Sequence, residues 1–157
     1  MSANGGNSAT GGNSTMQVVV CSNCQTRNRV QSVAKGAPRC GKCHEPLRWI
    51  VNATDVDFAS IAEAATIPVL VDVWAPWCGP CRMVSPALEQ LAGELAGRLK
   101  LVKVNADDSP GVSNQFEVQA IPTLVLLNRG KVIDKQVGAA PAAVLRSWLT
   151  EKLPAKT

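Results

Sequence analysis

All six cysteines of this 157-residue chain fall into three Cys-x-x-Cys pairs: Cys21/Cys24 in CSNC, Cys40/Cys43 in CGKCH, and Cys78/Cys81 in WCGPC. The first two pairs lie between Met16 and Ile50, around a polar stretch, RNRVQSVAKGAP. That segment has too few large apolar residues to fold by burial alone. The spacing Cys-x2-Cys-x15-Cys-x2-Cys falls in the range of a four-thiolate zinc site. Each short spacing lets two sulfurs converge on one tetrahedral ion, and binding would supply the folding energy the segment lacks. One zinc ion held by Cys21, Cys24, Cys40 and Cys43 is therefore expected. Alternatives are a Cys3His site through His44, or thiols that switch between zinc and disulfides.

Cys40–His44 also matches the pattern of covalent haem attachment. A haem needs an apolar pocket that residues 16–50 cannot build, and it would leave Cys21 and Cys24 without a task. His44 is read as following a zinc knuckle by coincidence.

The net charge of +4 is uneven, with six Lys/Arg against one acid in residues 1–50 and ten against eleven in residues 51–157. A basic arm suggests nucleic acid, but no aromatic run accompanies it, and four thiolates around Zn²⁺ would offset part of the charge. No nucleic-acid role is expected. Residues 1–15 are Gly/Asn/Ser/Thr/Ala-rich without periodicity, and a disordered tail is expected there. The first 16 residues hold no Lys or Arg and no apolar segment of a signal peptide. No apolar run approaches the roughly 20 residues needed to span a bilayer. The expectation is a cytoplasmic location without membrane attachment, where Cys pairs serve metals or catalysis before structural disulfides.

From Asn52 the texture is globular. TDVDFASIAEAA predicts an amphipathic helix capped at Thr54 or Asp55, with Phe58, Ile61 and Ala62 on one face. PVLVDVWA (Pro68–Ala75) reads as a strand covered on both faces. Met83, Val84, Ala87, Leu88, Leu91 and Leu95 recur at helical spacing, with a kink predicted at Pro86. Lys100–Asp107 is a second buried strand, followed by a short helix near Val112–Phe116. TLVLLN and RGKVIDKQVG form an antiparallel hairpin about Asn128-Arg129-Gly130. A final helix, Ala140–Lys152, turns Val144, Leu145, Trp148 and Leu149 inward. The fold class is α/β: a mixed central sheet flanked by helices over residues 53–153, with a small zinc-binding domain at 16–50.

WCGPC falls where a buried strand ends and a helix begins. Cys78 would meet the positive end of the helix dipole and unsatisfied N–H groups, which favour a thiolate. Cys81 would come within disulfide reach but out of the exposed position of Cys78. Cys78 would attack a substrate disulfide and Cys81 would resolve the mixed disulfide. Gly79 and Pro80 permit and stiffen the turn. Asp72, mid-strand among apolar residues, should have a raised pKa, with Lys103 as a plausible partner.

The segments VDVWAPWCGPCRMVSP, QAIPTLVLLNRGKV and VGA resemble the thioredoxin family over about residues 53–153. With the two upstream pairs, the chain looks like its bacterial thioredoxin 2 type, which carries an N-terminal zinc-binding extension. The resemblance implies that Cys78 attacks and Cys81 resolves, and that Asp72 is the buried proton acceptor with Lys103 beside it. It implies that Pro122 is a cis-proline facing the disulfide, preceded by Ile121. It places Gly138 on the substrate-docking surface, with Trp77, Gly79, Pro80 and Ile121 as its neighbours there. Pro76 stands where many thioredoxins have a charged residue. The implied activity is reduction of protein disulfides by a monomer without bound organic cofactor, NADPH acting only through a thioredoxin reductase. A rival is a zinc-dependent partner-binding module or oxidative-stress sensor; a missing active-site thiol would mark it, and both thiols are present.

Overall fold

The apolar run around Asp72 forms the centre of a five-stranded sheet. A computed structural model describes residues 16–154; the tail expected at 1–15 lies outside the described residues. The elements are β1 (Met16–Val20), β2 (Arg27–Gln31), β3 (Ile50–Ala53), a π-helical turn (Ala59–Glu63), β4 (Val69–Trp74), α1 (Gly79–Glu94), β5 (Lys100–Asn105), α2 (Pro110–Gln115), β6 (Thr123–Asn128), β7 (Lys131–Val137) and α3 (Ala142–Lys152). The large sheet has the order β3-β5-β4-β6-β7, and β1 and β2 form a separate two-stranded sheet. β3 and β4 run parallel to β5, whereas β6 is antiparallel to β4 and β7. This is the expected mixed sheet.

Two apolar layers follow from the period-two alternation of the strands. Val69, Val71 and Val73 of β4 pack with Phe58, Ile61, Val112 and Phe116 on the face covered by the π-helical turn and α2. Leu70 packs with Val84, Leu88, Leu91, Leu145 and Leu149 beneath α1 and α3. Alternation therefore puts Asp72 on the α1/α3 face.

Some expectations need correction. The helix predicted from Thr54 is a turn followed by a single π-helical turn, in which the Ala64 N–H donates to Ala59 O at 2.9 Å. Phe58, Ile61 and Ala62 are buried as their spacing required. Asp55 does not cap that segment. Its carboxylate accepts from the Gly111 and Val112 N–H groups at 2.8 Å each and so caps α2 across the sequence. Met83 and Val144 lie on outer helix faces, 78% and 48% exposed. Each sits one residue, about 100° of helix rotation, from a buried neighbour, Val84 or Leu145. The α1 helix continues through Pro86. The short helix begins at Pro110, whose missing N–H suits a first turn.

Three strands were not anticipated: β1, β2 and β3. The inner side of the β1/β2 sheet is made by Gln17, Val19, Asn28 and Val30, alternating with exposed Met16, Val18, Val20, Arg27 and Arg29. This small unit packs on the large sheet. Gln17 Nε2 donates to Ile50 O at 2.7 Å, and the Thr66 N–H donates to Lys35 O at 2.8 Å. At Gly97, with φ +88°, any Cβ would approach Pro46 Cβ to 3.1 Å, so the close contact there needs glycine.

Candidate active site and metal centre

Strand β4 ends at Trp74, and four residues later Cys78 caps α1. Its backbone is extended (φ −88°, ψ 110°), and its sulfur accepts the Cys81 N–H at 3.2 Å. A sulfur thus occupies the place usually taken by a Ser or Asp oxygen, at the positive end of a 16-residue helix. Pro80 in the first turn needs no N–H partner. Cys78 and Cys81 are joined by a disulfide, their Cα atoms 5.3 Å apart. Both are buried, at 4% and 3% exposure, so the expected contrast between an exposed first thiol and a hidden second one is absent. The reason is packing: Trp74, Ala75 and Ile121 close around both cysteines.

The approach to the disulfide is formed by Trp77, 68% exposed, and by exposed Gly79 and Pro80. Across from them the Ile121–Pro122 peptide is cis, and Ile121 O lies 3.8 Å from Cys78 Sγ. Pro122 O accepts the Gly138 N–H at 2.8 Å. Gly138 has φ +95° with open space where a Cβ would stand, so backbone conformation, not room, demands glycine.

Asp72 is 1% exposed and pairs in register with Lys103 on β5 and Leu124 on β6. Its Oδ1 has no hydrogen-bond partner. Burial pushes its pKa up to about 6, and the positive charge of Lys103 offsets part of that rise. The two side chains do not form an ion pair among the described contacts. Lys103 Nζ donates to Ser85 Oγ at 2.8 Å, lies 3.9 Å from Glu89, and sits 5.5 Å from the Trp74 ring centre. Lys103 is thus held on the α1 face, beside the carboxylate in register but bonded elsewhere.

Two contacts here had no sequence signal. Trp77 Nε1 donates to Asp107 Oδ2 at 3.0 Å, tying the active-site turn to the loop after β5. Arg82 Nε donates to Pro76 O at 3.0 Å, which brings a cation back to the turn where Pro76 had removed a charge. Both partners lie on loops, where periodicity carries no information.

The ribbon-like unit brings Cys21, Cys24, Cys40 and Cys43 together, their sulfurs all within 4.8 Å of one another. Cys21–Cys43 and Cys24–Cys40 sulfurs are 3.6 Å apart. Four sulfurs at about 2.3 Å from a tetrahedral zinc ion stand about 3.8 Å apart, so the donor set fits that ion. The two knuckles are built alike. The Gln25 N–H donates to Cys21 O and the His44 N–H to Cys40 O, each at 2.9 Å. The Cys21 and Cys40 N–H groups donate onward to Thr26 O and Glu45 O, also at 2.9 Å. Gln25 and His44 both adopt the left-handed conformation, φ 66° and 68°. His44 therefore occupies the position of Gln25, as a turn residue. The Cys43 and Lys42 N–H groups hold the Cys40 thiol down to about 5, whereas, against the pull of the Cys24 N–H, burial and the neighbouring Cys43 sulfur push Cys21 up to about 11.

Comparison with known proteins agrees with this geometry. The thioredoxin family model matches residues 49–151. Thioredoxin of Haemophilus influenzae is 44% identical over 104 residues, which is 66% of this chain and 97% of that protein. Thioredoxin 1 of Nostoc sp. is 44% identical over 102 residues, 65% of this chain and 95% of its own length. The chloroplastic M-type thioredoxin of Chlamydomonas reinhardtii is 39% identical over 112 residues, 71% of this chain and 79% of that protein. With a disulfide-capable Cys-x-x-Cys pair at the head of α1, the chain is a thiol–disulfide oxidoreductase and belongs to the thioredoxin family.

Proposed function

We propose that this chain reduces protein disulfides through Cys78 and Cys81 and holds one zinc ion in its N-terminal ribbon, as in the bacterial thioredoxin 2 type. The observation that carries the redox reading is Cys78 Sγ serving as the cap of α1 with the Cys81 N–H directed at it. In the reduced protein the same N–H and the helix dipole stabilise a Cys78 thiolate. The thiolate attacks one sulfur of a substrate disulfide, forming a Cys78–substrate bond and expelling the other substrate sulfur as a thiolate. Cys81, losing its proton, attacks Cys78 Sγ. The Cys78–Cys81 bond forms, the mixed disulfide breaks, and the substrate leaves with two thiols and two electrons. Asp72 is suited to accept the Cys81 proton, because a carboxyl group with a pKa near 6 exchanges protons near neutrality. Ile121, ahead of the cis-proline, leaves its backbone groups for an extended substrate segment to pair with, beside Trp77, Gly79, Pro80 and Gly138.

Bound zinc would cross-link the two knuckles and supply folding energy to the ribbon. Cys21, Cys24, Cys40 and Cys43 would hold it. The disulfide left on the protein is returned to the dithiol by a NADPH-dependent thioredoxin reductase, in the cytoplasm, with the chain acting as a monomer. No helix among the described residues is long and apolar enough to cross a membrane.

The test is insulin-disulfide reduction coupled to a thioredoxin reductase. Cys78→Ser is expected to fall to the rate of buffer alone, and Cys81→Ser to accumulate mixed disulfides visible by mass spectrometry. Full activity in Cys78→Ser would sink the assignment.

A further inference from the structure

Lys100 opens β5, and its side chain is fully buried, a costly place for an ammonium unless its N–H groups are paired. They are. Nζ donates to Ser32 O at 2.8 Å, Ala34 O at 3.3 Å and Ile61 O at 2.7 Å, and it lies 5.2 Å from the centre of the Trp49 ring. Burial lowers its pKa to about 8, so at neutral pH it keeps the proton that three carbonyl acceptors require. None of these contacts belongs to the redox site.

The acceptors come from two parts of the molecule. Ser32 and Ala34 follow β2, on the stretch between the two knuckles, whereas Ile61 lies in the π-helical turn of the redox domain. The same stretch also holds the chain just after that turn. The Thr66 N–H, beyond the end of the turn, donates to Lys35 O, and Thr66 Oγ1 does so at 3.0 Å. Trp49 completes the cluster, with its carbonyl accepting the Leu101 N–H at 2.9 Å. Residues 32–35 are bracketed by Cys24 and Cys40, whose sulfurs approach to 3.6 Å. The knuckles thus restrain both ends of the stretch, while Val33 and Ala34 pack against the core of the large sheet.

We infer that Lys100 is a positioning residue that couples the metal-holding ribbon to the core of the redox domain. Loss of the metal releases residues 32–35 and strands a buried ammonium on Ile61 O alone, so that the Lys100 site opens to water. Removal of the ribbon's metal is thereby transmitted to β5 and to the π-helical turn, on the sheet face away from α1. This rests on the reading of the four cysteines as a zinc site.

The experiment uses the full-length chain, with its metal content measured on every sample. Amine labelling by acetic anhydride, read at Lys100 by mass spectrometry, is compared before and after chelation. With metal, Lys100 is expected to stay unlabelled while Lys35 and Lys42 react. After chelation its labelling rate is expected to rise by roughly tenfold or more, as local opening exposes it. In Lys100→Met, which strands no charge when residues 32–35 leave, hydrogen exchange over the π-helical turn and its cap, residues 59–64, is read instead, leaving out Thr66, which bonds to Lys35 directly. The dependence of that exchange on metal is expected to fall to under about twofold, against roughly tenfold or more in the native sequence. A metal-loaded chain whose Lys100 stays shielded after chelation overturns the coupling alone, as does an equal metal dependence of exchange in Lys100→Met. A chain that binds no zinc overturns the metal reading and the coupling with it.

Discussion

At Cys21 and Cys40 the chain turns back after four residues, whereas at Cys78 the same spacing opens a helix. In all three places the N–H four residues on donates to the first cysteine's carbonyl: Gln25 to Cys21, His44 to Cys40 and, at 3.3 Å, Arg82 to Cys78. The difference is the conformation of that donor residue. Gln25 and His44 are left-handed, which folds each knuckle closed so that two pairs of sulfurs face one another. Arg82 continues α1, so one pair of sulfurs is left facing only itself at the end of a helix. A closed pair of knuckles suits a cation between four thiolates. An isolated pair on a dipole suits electron exchange.

Several changes would break or sharpen that contrast. The largest effect is expected from Cys40→Ser. It removes one of four ligands from a site whose metal supplies on the order of 10 kcal/mol to small zinc modules. Zinc measured by atomic emission should fall from about one per chain to near zero, while Cys78 and Cys81 still form their disulfide. Retention of a full zinc equivalent would show that the ribbon does not use all four sulfurs.

Asp72→Asn should act on stability in the opposite sense. The folded carboxyl has its pKa raised from 3.8 to about 6, so its contribution to stability is present below pH 4 and lost as pH rises through 6. Removing the charge should therefore stabilise the protein by about 3 kcal/mol above pH 7, with the gain disappearing near pH 4. Urea unfolding of both proteins at pH 4 and pH 8 measures this, and a pH-independent difference would mean that Asp72 is not the group responsible. The same variant should reduce disulfides more slowly if Asp72 takes up the proton.

Asp55→Ala is expected to cost about 1 kcal/mol, the usual loss of a helix cap, without changing zinc content or the reductase rate. Thermal unfolding gives the comparison. The smallest effect is expected from His44→Gln, which places in the second knuckle the residue type found at the equivalent point of the first. Zinc content should be unchanged and stability should shift by no more than about 0.5 kcal/mol. Loss of zinc in this variant would favour a Cys3His site over four thiolates.

What could be read from the sequence depended on how local the physics was. Asp72 stood out because a carboxylate amid Val69–Trp74 has no cheap explanation, and the cysteine spacings stood out because metal and disulfide geometry restrict them. Lys100 carried no such signal. A lysine at the head of a strand looks like a solvent-facing end, and its acceptors lie 39, 66 and 68 residues away. Asp55 misled for the same reason, since a capping side chain next to one helical segment serves another 56 residues on. The β1/β2 sheet was hidden by polar alternation, its inner side holding Gln17 and Asn28 beside two valines. Strand β3 was hidden by its four-residue length. Helical spacing located Phe58, Ile61 and Ala62 correctly without distinguishing a π-helical turn from an α-helix, because the buried face is nearly the same.

Strand β4 places its carboxylate by counting. Odd positions from Val69 go to one layer and even positions to the other, and neighbours on both sides fix the register. One residue inserted or deleted between Val69 and Asp72 would swing Asp72 into the valine layer and a valine into its place. Length variation that preserves the chemistry is therefore confined to loops such as 106–109 and the two-residue turn at Arg129-Gly130. Inside β4, only substitution is available to evolution or to design.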